Sequence, residues 1–176
     1  MGMGHPMTII LHLVALLLAA IALWSMRHEL SEKAASRFEW ALPPLLALIV
    51  AAVLLIVSPG KRFELWIVGI VSGFAIGLIA GTMLKVEMDF AQKLVRTGRP
   101  TWDGVAAAAL LLLLTVARLV TSDLMNRSSG KFGVLGAAAV FLAAYLAGRL
   151  ITVLAYSAPK SIHRDMVRGR NPLRSS

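Results

Sequence analysis

The chain has 176 residues, of which 58% are hydrophobic, and its mean hydropathy is +0.77. Soluble domains are about 45 to 50% apolar, so this composition excludes a soluble globular protein and predicts a polytopic membrane protein. There is no cysteine, which excludes disulfides, thiolate metal sites and cysteine nucleophiles. The net charge of +9 fits the excess of Lys and Arg in cytoplasmic segments of membrane proteins better than nucleic-acid binding.

Five apolar runs are long enough to cross a bilayer core of about 30 Å as helices. They are residues 7–24, 41–57, 65–84, 103–121 and 132–155. The runs predict an all-α bundle of five transmembrane helices that forms a single domain over residues 1–156. Residues 157–176 are then a basic cytoplasmic tail. The first run lacks the basic flank and the cleavage site of a signal peptide, so we interpret it as a retained span.

The basic residues sort to one side of the bundle only if all five runs cross the membrane. The side that holds the C-terminus then carries twelve Lys and Arg residues, and the other side carries four. Without the second run as a span, the two sides would carry seven and nine. The positive-inside rule therefore predicts a multi-pass protein with its N-terminus outside and its C-terminus in the cytoplasm. We expect the tail to lie on anionic lipids of the inner leaflet.

Amphipathic and helix-forming segments mark the borders of the runs. Residues 27–40 have helical spacing, so the first helix is expected to continue beyond the bilayer, and Pro43 and Pro44 to open the next helix. Thr101 is expected to cap the fourth span. Indole side chains prefer the headgroup level, so the tryptophans at run borders are predicted interface anchors. These are Trp24, Trp40, Trp66 and Trp102.

The third run has a glycine at every fourth position, which places a stripe without side chains along one helix face. These glycines are Gly69, Gly73, Gly77 and Gly81. Close backbone approach is one of the few attractions between helices in lipid, so we expect the other helices to pack around this span. Two surfaces of small residues are candidate partners within the chain. One is residues 106–109 of the fourth span, and the other includes Gly136, Ala144 and Gly148 of the fifth.

Residues 84–97 follow the third run with a two-residue alternation of apolar and charged side chains. This period predicts a small cytoplasmic β-hairpin, with a turn near residues 90–92. A short amphipathic helix with Val86, Phe90 and Leu94 on one face is the alternative. On a strand, Glu87 and Asp89 would lie on the same face, where they suit a metal ion or a proton relay, or form a solvated strand face.

Few ionisable residues lie within the spans, and such residues are the usual indicators of function in membrane proteins. His12 suggests a haem ligand, but no other span contains a histidine, and a hydrogen bond to a neighbouring helix is the simpler interpretation. Arg118 either extends to the outer headgroups, where it can meet Asp123, or points into the bundle and holds carbonyl groups or an anionic ligand. Arg149 is expected to extend to the inner headgroups.

No hydrolase, zinc-protease or nucleotide-binding motif occurs, so we predict no enzyme activity, no metal site and no cofactor. The leading hypothesis is a non-enzymatic accessory or scaffolding protein that packs against a membrane-protein partner or a second copy. The first alternative is a small transporter or lipid-handling protein that uses Arg118, Glu87 and Asp89. The second is a haem or quinone binder.

Four short motifs resemble a known family. They are ALPPLL in the second run, GIVSGFAIGLIAG in the third, the alternating LKVEMD and the LLLLTVARLV that closes the fourth. Together they are similar to the CcdC-like group of small bacterial membrane proteins, over residues 40–120. The resemblance implies a compact bundle in the bacterial inner membrane, with Arg118 as the arginine typical of the family. It implies no activity, and the basic tail and RHELSEK lie outside it.

Overall fold

The structure is a computed structural model that describes residues 5–30, 35–57, 63–84, 86–89, 94–97, 101–124 and 132–156. These residues form five long helices, and a single-turn helix, α2 (Arg27–Leu30), follows the first of them. The long helices are α1 (His5–Ser25), α3 (Arg37–Val57), α4 (Phe63–Met83), α5 (Asp103–Leu124) and α6 (Phe132–Tyr156). Each of the five is long and apolar enough to cross a membrane, which confirms the predicted number of spans.

Successive long helices run in opposite directions, as consecutive membrane crossings require. Gly69 and Gly77 of α4 lie against Ala137 and Tyr145 of α6, so these two helices are parallel. The first residue of α5, Asp103, lies beside Arg149 near the end of α6, so α5 is antiparallel to α6. We call the end of the bundle where α6 finishes and α5 begins the sheet end, and the opposite one the far end.

Three short strands form an antiparallel sheet that joins two connections of the chain. They are β1 (Ala35–Ser36), β2 (Val86–Asp89) and β3 (Leu94–Thr97), in the order β1-β3-β2. β2 pairs with β3 from Val86 opposite Thr97 to Asp89 opposite Leu94. These two strands lie in the segment for which a hairpin was predicted, and the predicted turn near residues 90–92 lies outside the described residues. The sheet also includes β1, which the sequence pattern had assigned to a helix.

The prediction that the first helix continues through residues 27–40 is therefore wrong, although Arg27–Leu30 and the residues from Arg37 onward are helical. α1 ends at Ser25, and α3 begins at Arg37, before the proline pair. A capping box starts α3: the amide of Ser36 donates to Glu39 Oε2 at 2.7 Å, and the amide of Glu39 donates to Ser36 Oγ at 3.2 Å. Pro43 and Pro44 lie inside the helix rather than at its start, and they remove two of its backbone hydrogen bonds.

The helix at the centre of the bundle is α6, so the expectation that the other helices pack around the glycine-rich span is wrong. Half of the α6 span (50%) is buried inside the molecule, against 17% of the α4 span. α6 contacts α3, α4 and α5, whereas α4 packs mainly on α6. The main core joins α1, α3, α5 and α6, and includes Ala15, Val50, Leu111 and Leu146. A glycine stripe makes one face of α4 suitable for close packing and leaves its other faces to the lipid.

Candidate functional site

A buried ionic cluster occupies the sheet end of the bundle. Arg149 of α6 and Glu29 of α2 are 2% and 1% exposed, and Arg149 Nη1 donates to Glu29 Oε1 at 2.7 Å. Arg149 Nε also lies 3.1 Å from Oδ2 of Asp103, the first residue of α5. One guanidinium therefore joins two carboxylates from helices that are distant in the sequence. The expectation that Arg149 extends to the headgroups is wrong, because burial with paired charges replaces the water that it would otherwise seek.

Two hydroxyl groups complete this cluster. Arg149 Nη2 donates to Thr101 Oγ1 at 3.0 Å, and Thr101 Oγ1 donates to Glu29 Oε2 at 3.1 Å. The Tyr145 hydroxyl donates to Asp103 Oδ2 at 2.9 Å. The backbone adds a further link, since the amide of Thr101 donates to the carbonyl of Glu29 at 3.3 Å. These bonds hold α2, the start of α5 and the last turns of α6 in one arrangement.

The hydroxyl of Thr101 therefore serves the ionic cluster, and it does not cap α5 as predicted. α5 begins at Asp103, whose carboxylate lies in the first turn, where the helix dipole favours negative charge. The side chain of Asp103 is 40% exposed, so its charge is partly solvated, in contrast to the carboxylate of Glu29. The cluster thus carries one positive and two negative formal charges, with the excess negative charge on its most exposed member.

A glycine makes room for this cluster. A Cβ atom added to Gly104 would lie 2.7 Å from Glu29 Oε2 and closer still to Arg149 Nη1. Any larger residue at this position would displace the ion pair. Glu29, Gly104 and Tyr145 were not recognised as site residues from the sequence. Only Glu29 had a signal in the sequence: it and Arg149 are opposite charges near the borders of different spans, on the same predicted side of the membrane.

The glycine stripe of α4 lies directly on the backbone of α6. A Cβ atom added to Gly69 would lie 2.9 Å from the carbonyl oxygen of Ala137. A Cβ atom added to Gly81 would lie 3.0 Å from the carbonyl oxygen of Arg149. At Gly73 and Gly77 the carbonyl oxygens of Phe141 and Tyr145 are nearer still. We call this contact the glycine seam. It selects α6, and not the alanine run of α5, as the partner of the stripe.

The residues of α6 in the seam differ from the small residues that the sequence suggested. Gly148 does face α4, since an added Cβ would lie 2.5 Å from the carbonyl oxygen of Phe74. Gly136 and Ala144 are buried, but the atoms nearest the α4 glycines belong to other residues of α6. The seam therefore depends on the backbone of α6, and the side chain of Phe141 packs against the main core.

A second group of buried polar residues lies toward the far end. His12 of α1 and Arg118 of α5 are 2% and 4% exposed. His12 Nδ1 is 2.7 Å from the carbonyl oxygen of Thr8 in the same helix, whereas Nε2 has no hydrogen-bond partner. The predicted hydrogen bond from His12 to a neighbouring helix is therefore not formed. Arg118 points into the protein, which is the second of its two predicted orientations.

His12 and Arg118 lie at similar depths in the bundle. α1 contacts α5 and runs antiparallel to it, and the two helices are joined at the sheet end through Glu29 and Thr101. His12 is seventeen residues before Glu29, and Arg118 is seventeen residues after Thr101. Thr115, one turn before Arg118 on the buried face of α5, donates to the carbonyl of Leu111. The interior thus has an apolar middle and a polar group at each end.

The four predicted interface tryptophans differ in their exposure. Trp24 and Trp102 are exposed large apolar residues near the sheet end. Trp40 is buried against Val153 in a small core of its own, so its role is packing. Trp66 is half-buried, with its ring 5.5 Å from that of Phe63.

The proposed acidic pair lies in β2, but the side chains of Glu87 and Asp89 are outside the part of the structure that is described. Among the described residues, no three His, Cys, Asp or Glu side chains are grouped to hold a metal ion. Comparison of the chain with protein-family models, with curated proteins and with solved structures finds no match. The resemblance to the CcdC-like group therefore stays a prediction.

Proposed function

We propose that this protein is a non-enzymatic accessory subunit of a larger membrane complex, and that the five-helix bundle is its rigid body. The observation that carries the proposal is the ionic cluster, in which Arg149 bonds to Glu29, Asp103 and Thr101. A catalytic or transport site leaves polar groups accessible to a substrate. Here the polar groups of the cluster bind each other and hold three segments of the chain together.

The surface of the bundle suits a partner within the membrane. Large apolar side chains are exposed along the spans, among them Leu17 of α1, Val71 of α4 and Leu113 of α5. The glycine stripe is covered by α6, so a partner subunit would contact side chains on these outer faces and not the stripe. Association would then depend on side-chain packing that excludes lipid, as between other membrane helices.

Site-specific photocrosslinking in intact membranes tests this proposal. A photoreactive amino acid is placed in turn at Leu17, Val71 and Leu113, and at the fully buried Leu111 as the matched control. We expect one exposed face to crosslink to the same protein in every preparation, and the Leu111 position to give no intermolecular product. Exposed positions that crosslink no better than Leu111, together with a lone monomer after mild extraction, would contradict the proposal.

We also propose that the sheet end lies in the cytoplasm, in a bacterial inner membrane. The distribution of twelve against four basic residues supports this orientation. The chain has no cysteine, so single-cysteine variants report cleanly on accessibility. Phe63→Cys at the far end should react with an impermeant maleimide in intact cells, and Phe38→Cys at the sheet end only after permeabilisation. Both side chains are exposed, and the reverse labelling would invert the proposed orientation.

Quinone or haem binding near His12 is the second candidate function. It is favoured by one observation: the Nε2 atom of this buried imidazole has no partner. Nδ1 must donate to the carbonyl of Thr8, so Nε2 of the neutral ring carries a lone pair. Buried polar groups are almost always hydrogen-bonded, so this atom is suited to a haem iron or to the hydroxyl group of a reduced quinone. Arg118 and Thr115 are buried toward the same end and add polar character.

The visible spectrum and the lipid extract of the purified protein test this second candidate. We expect bound quinone or a Soret band in the wild type, lost in His12→Leu. His28→Leu is the matched control, because His28 lies outside the spans. A colourless wild-type preparation without bound quinone would exclude the candidate.

A further inference from the structure

Trp24 and Arg27 form an exposed pair at the border of the membrane span. The guanidinium carbon of Arg27 lies 4.8 Å from the centre of the Trp24 ring, a cation–π contact. Trp24 is 68% exposed, and Arg27 is exposed as well. The span of α1 ends at Ser25, so Arg27 lies two residues beyond it, at the level where phospholipid phosphates are found.

The ionic cluster determines where this pair points. Glu29 is two residues after Arg27 in α2, and residues at that spacing lie on roughly opposite sides of a helix. Glu29 is held inside the protein by Arg149 and Thr101, and Met26 is buried beside it. Hydrogen bonds from the amides of Met26 and Glu29 keep the link between α1 and α2 tight. Arg27 is therefore directed outward and held at the membrane surface.

We propose that Trp24 and Arg27 form a binding site for the headgroup of an anionic phospholipid. A guanidinium donates two parallel hydrogen bonds to a phosphate, and its charge complements that of the lipid. The indole ring restrains the guanidinium at one end and contacts the glycerol and upper acyl region with its apolar face. The proposal does not rest on the proposed accessory function.

Lipid retention by the full-length protein tests the site. The protein is reconstituted into nanodiscs with equal amounts of phosphatidylglycerol and phosphatidylcholine, and the lipids that remain after mild extraction are counted by native mass spectrometry. We expect preferential retention of phosphatidylglycerol. Arg27→Gln should reduce this preference about fivefold, the effect of one basic residue near an anionic surface. Trp24→Leu should reduce it by a smaller factor, because the charge remains.

Trp102→Leu is the matched control, since Trp102 is equally exposed near the same end and, among the described residues, makes no cation–π contact. Its preference for phosphatidylglycerol should equal that of the wild type. Equal retention of the two lipids by the wild type would overturn the proposal. So would an unchanged preference in Arg27→Gln, or the same loss in Trp102→Leu. Loss of a co-purifying protein in Arg27→Gln, with lipid preference intact, would instead assign the pair to a protein partner.

Discussion

The central helix α6 makes two contacts of opposite character, the glycine seam with α4 and the ionic cluster with α2 and α5. The seam brings backbone against backbone, with carbonyl oxygens of α6 directed at the glycines of α4. The cluster brings three charged side chains together, two of them almost fully buried. The seam is repeated along three turns and involves no charge, whereas the cluster is a single point at one end of the bundle.

The two contacts differ in what they contribute. In lipid, close packing is attractive because more atoms of the two helices touch, and no charge has to leave water. Burying ions is costly, so a paired cluster adds little net stability and mainly selects one arrangement of its helices. We therefore interpret the seam as the source of adhesion between α4 and α6, and the cluster as the determinant of how α2, α5 and α6 meet.

Arg149→Met should have the largest effect, because it leaves the carboxylate of Glu29 buried without a cation. We expect a loss of about 3 to 5 kcal/mol in the free energy of unfolding, measured by denaturation in mixed micelles. Adding Glu29→Gln should recover a large part of this loss. Arg27→Met, which removes an exposed arginine from α2, the helix that carries Glu29, is the control. A change in Arg149→Met as small as that of the control would show that the cluster is not a determinant of the fold.

Gly77→Leu should destabilise the glycine seam next most strongly. A Cβ at this position would lie 2.8 Å from the carbonyl carbon of Tyr145, and a helix backbone cannot move aside as a side chain can. We expect a loss of about 3 kcal/mol in the free energy of unfolding, at the upper end for overpacking. Ala75→Leu, on the exposed face of α4, should leave the stability unchanged. Equal effects of the two substitutions would contradict the seam.

Gly104→Ala should have an intermediate effect at the boundary of the ionic cluster. The added methyl group meets the ends of the side chains of Arg149 and Glu29, which can shift more easily than backbone. We expect the free energy of unfolding to fall by about 1 to 2 kcal/mol, in the lower part of the range for overpacking. This loss exceeds the gain expected because alanine has a higher helix propensity than glycine. Ala106→Leu, at an exposed position of the same helix, is the control. A stabilised Gly104→Ala protein would show that helix propensity outweighs the displacement of the ion pair.

Tyr145→Phe should have the smallest effect of the four. It removes the 2.9 Å hydrogen bond to Asp103 and leaves both ion pairs of Arg149 in place. Because Asp103 is partly exposed, water can replace the lost donor. We therefore expect the free energy of unfolding to fall by about 1 kcal/mol. In the Arg149→Met background the same substitution should have a different cost, since the groups form one network. Strict additivity of the two substitutions would argue that Tyr145 is independent of the cluster.

The five spans could be predicted from the sequence, because the existence of a span depends on composition. The number of spans follows from the lengths of the apolar runs, and the glycine stripe is visible from its four-residue period. The start of α3 was also readable, since Ser36 and Glu39 have the spacing of a capping box, but the proline pair was given more weight. The strand β1 could not be predicted from the sequence, because it has only two residues and no periodic pattern.

What the sequence determined by itself is therefore the set of five apolar helices and the face of α4 that is free of side chains. Only the tertiary structure decided which helix covers that face and which helix is central. It also decided that Arg149 is a buried partner of Glu29, 120 residues away. The reason is physical: apolar length and glycine spacing are local properties of one helix, whereas the pairing of charges depends on which helices become neighbours.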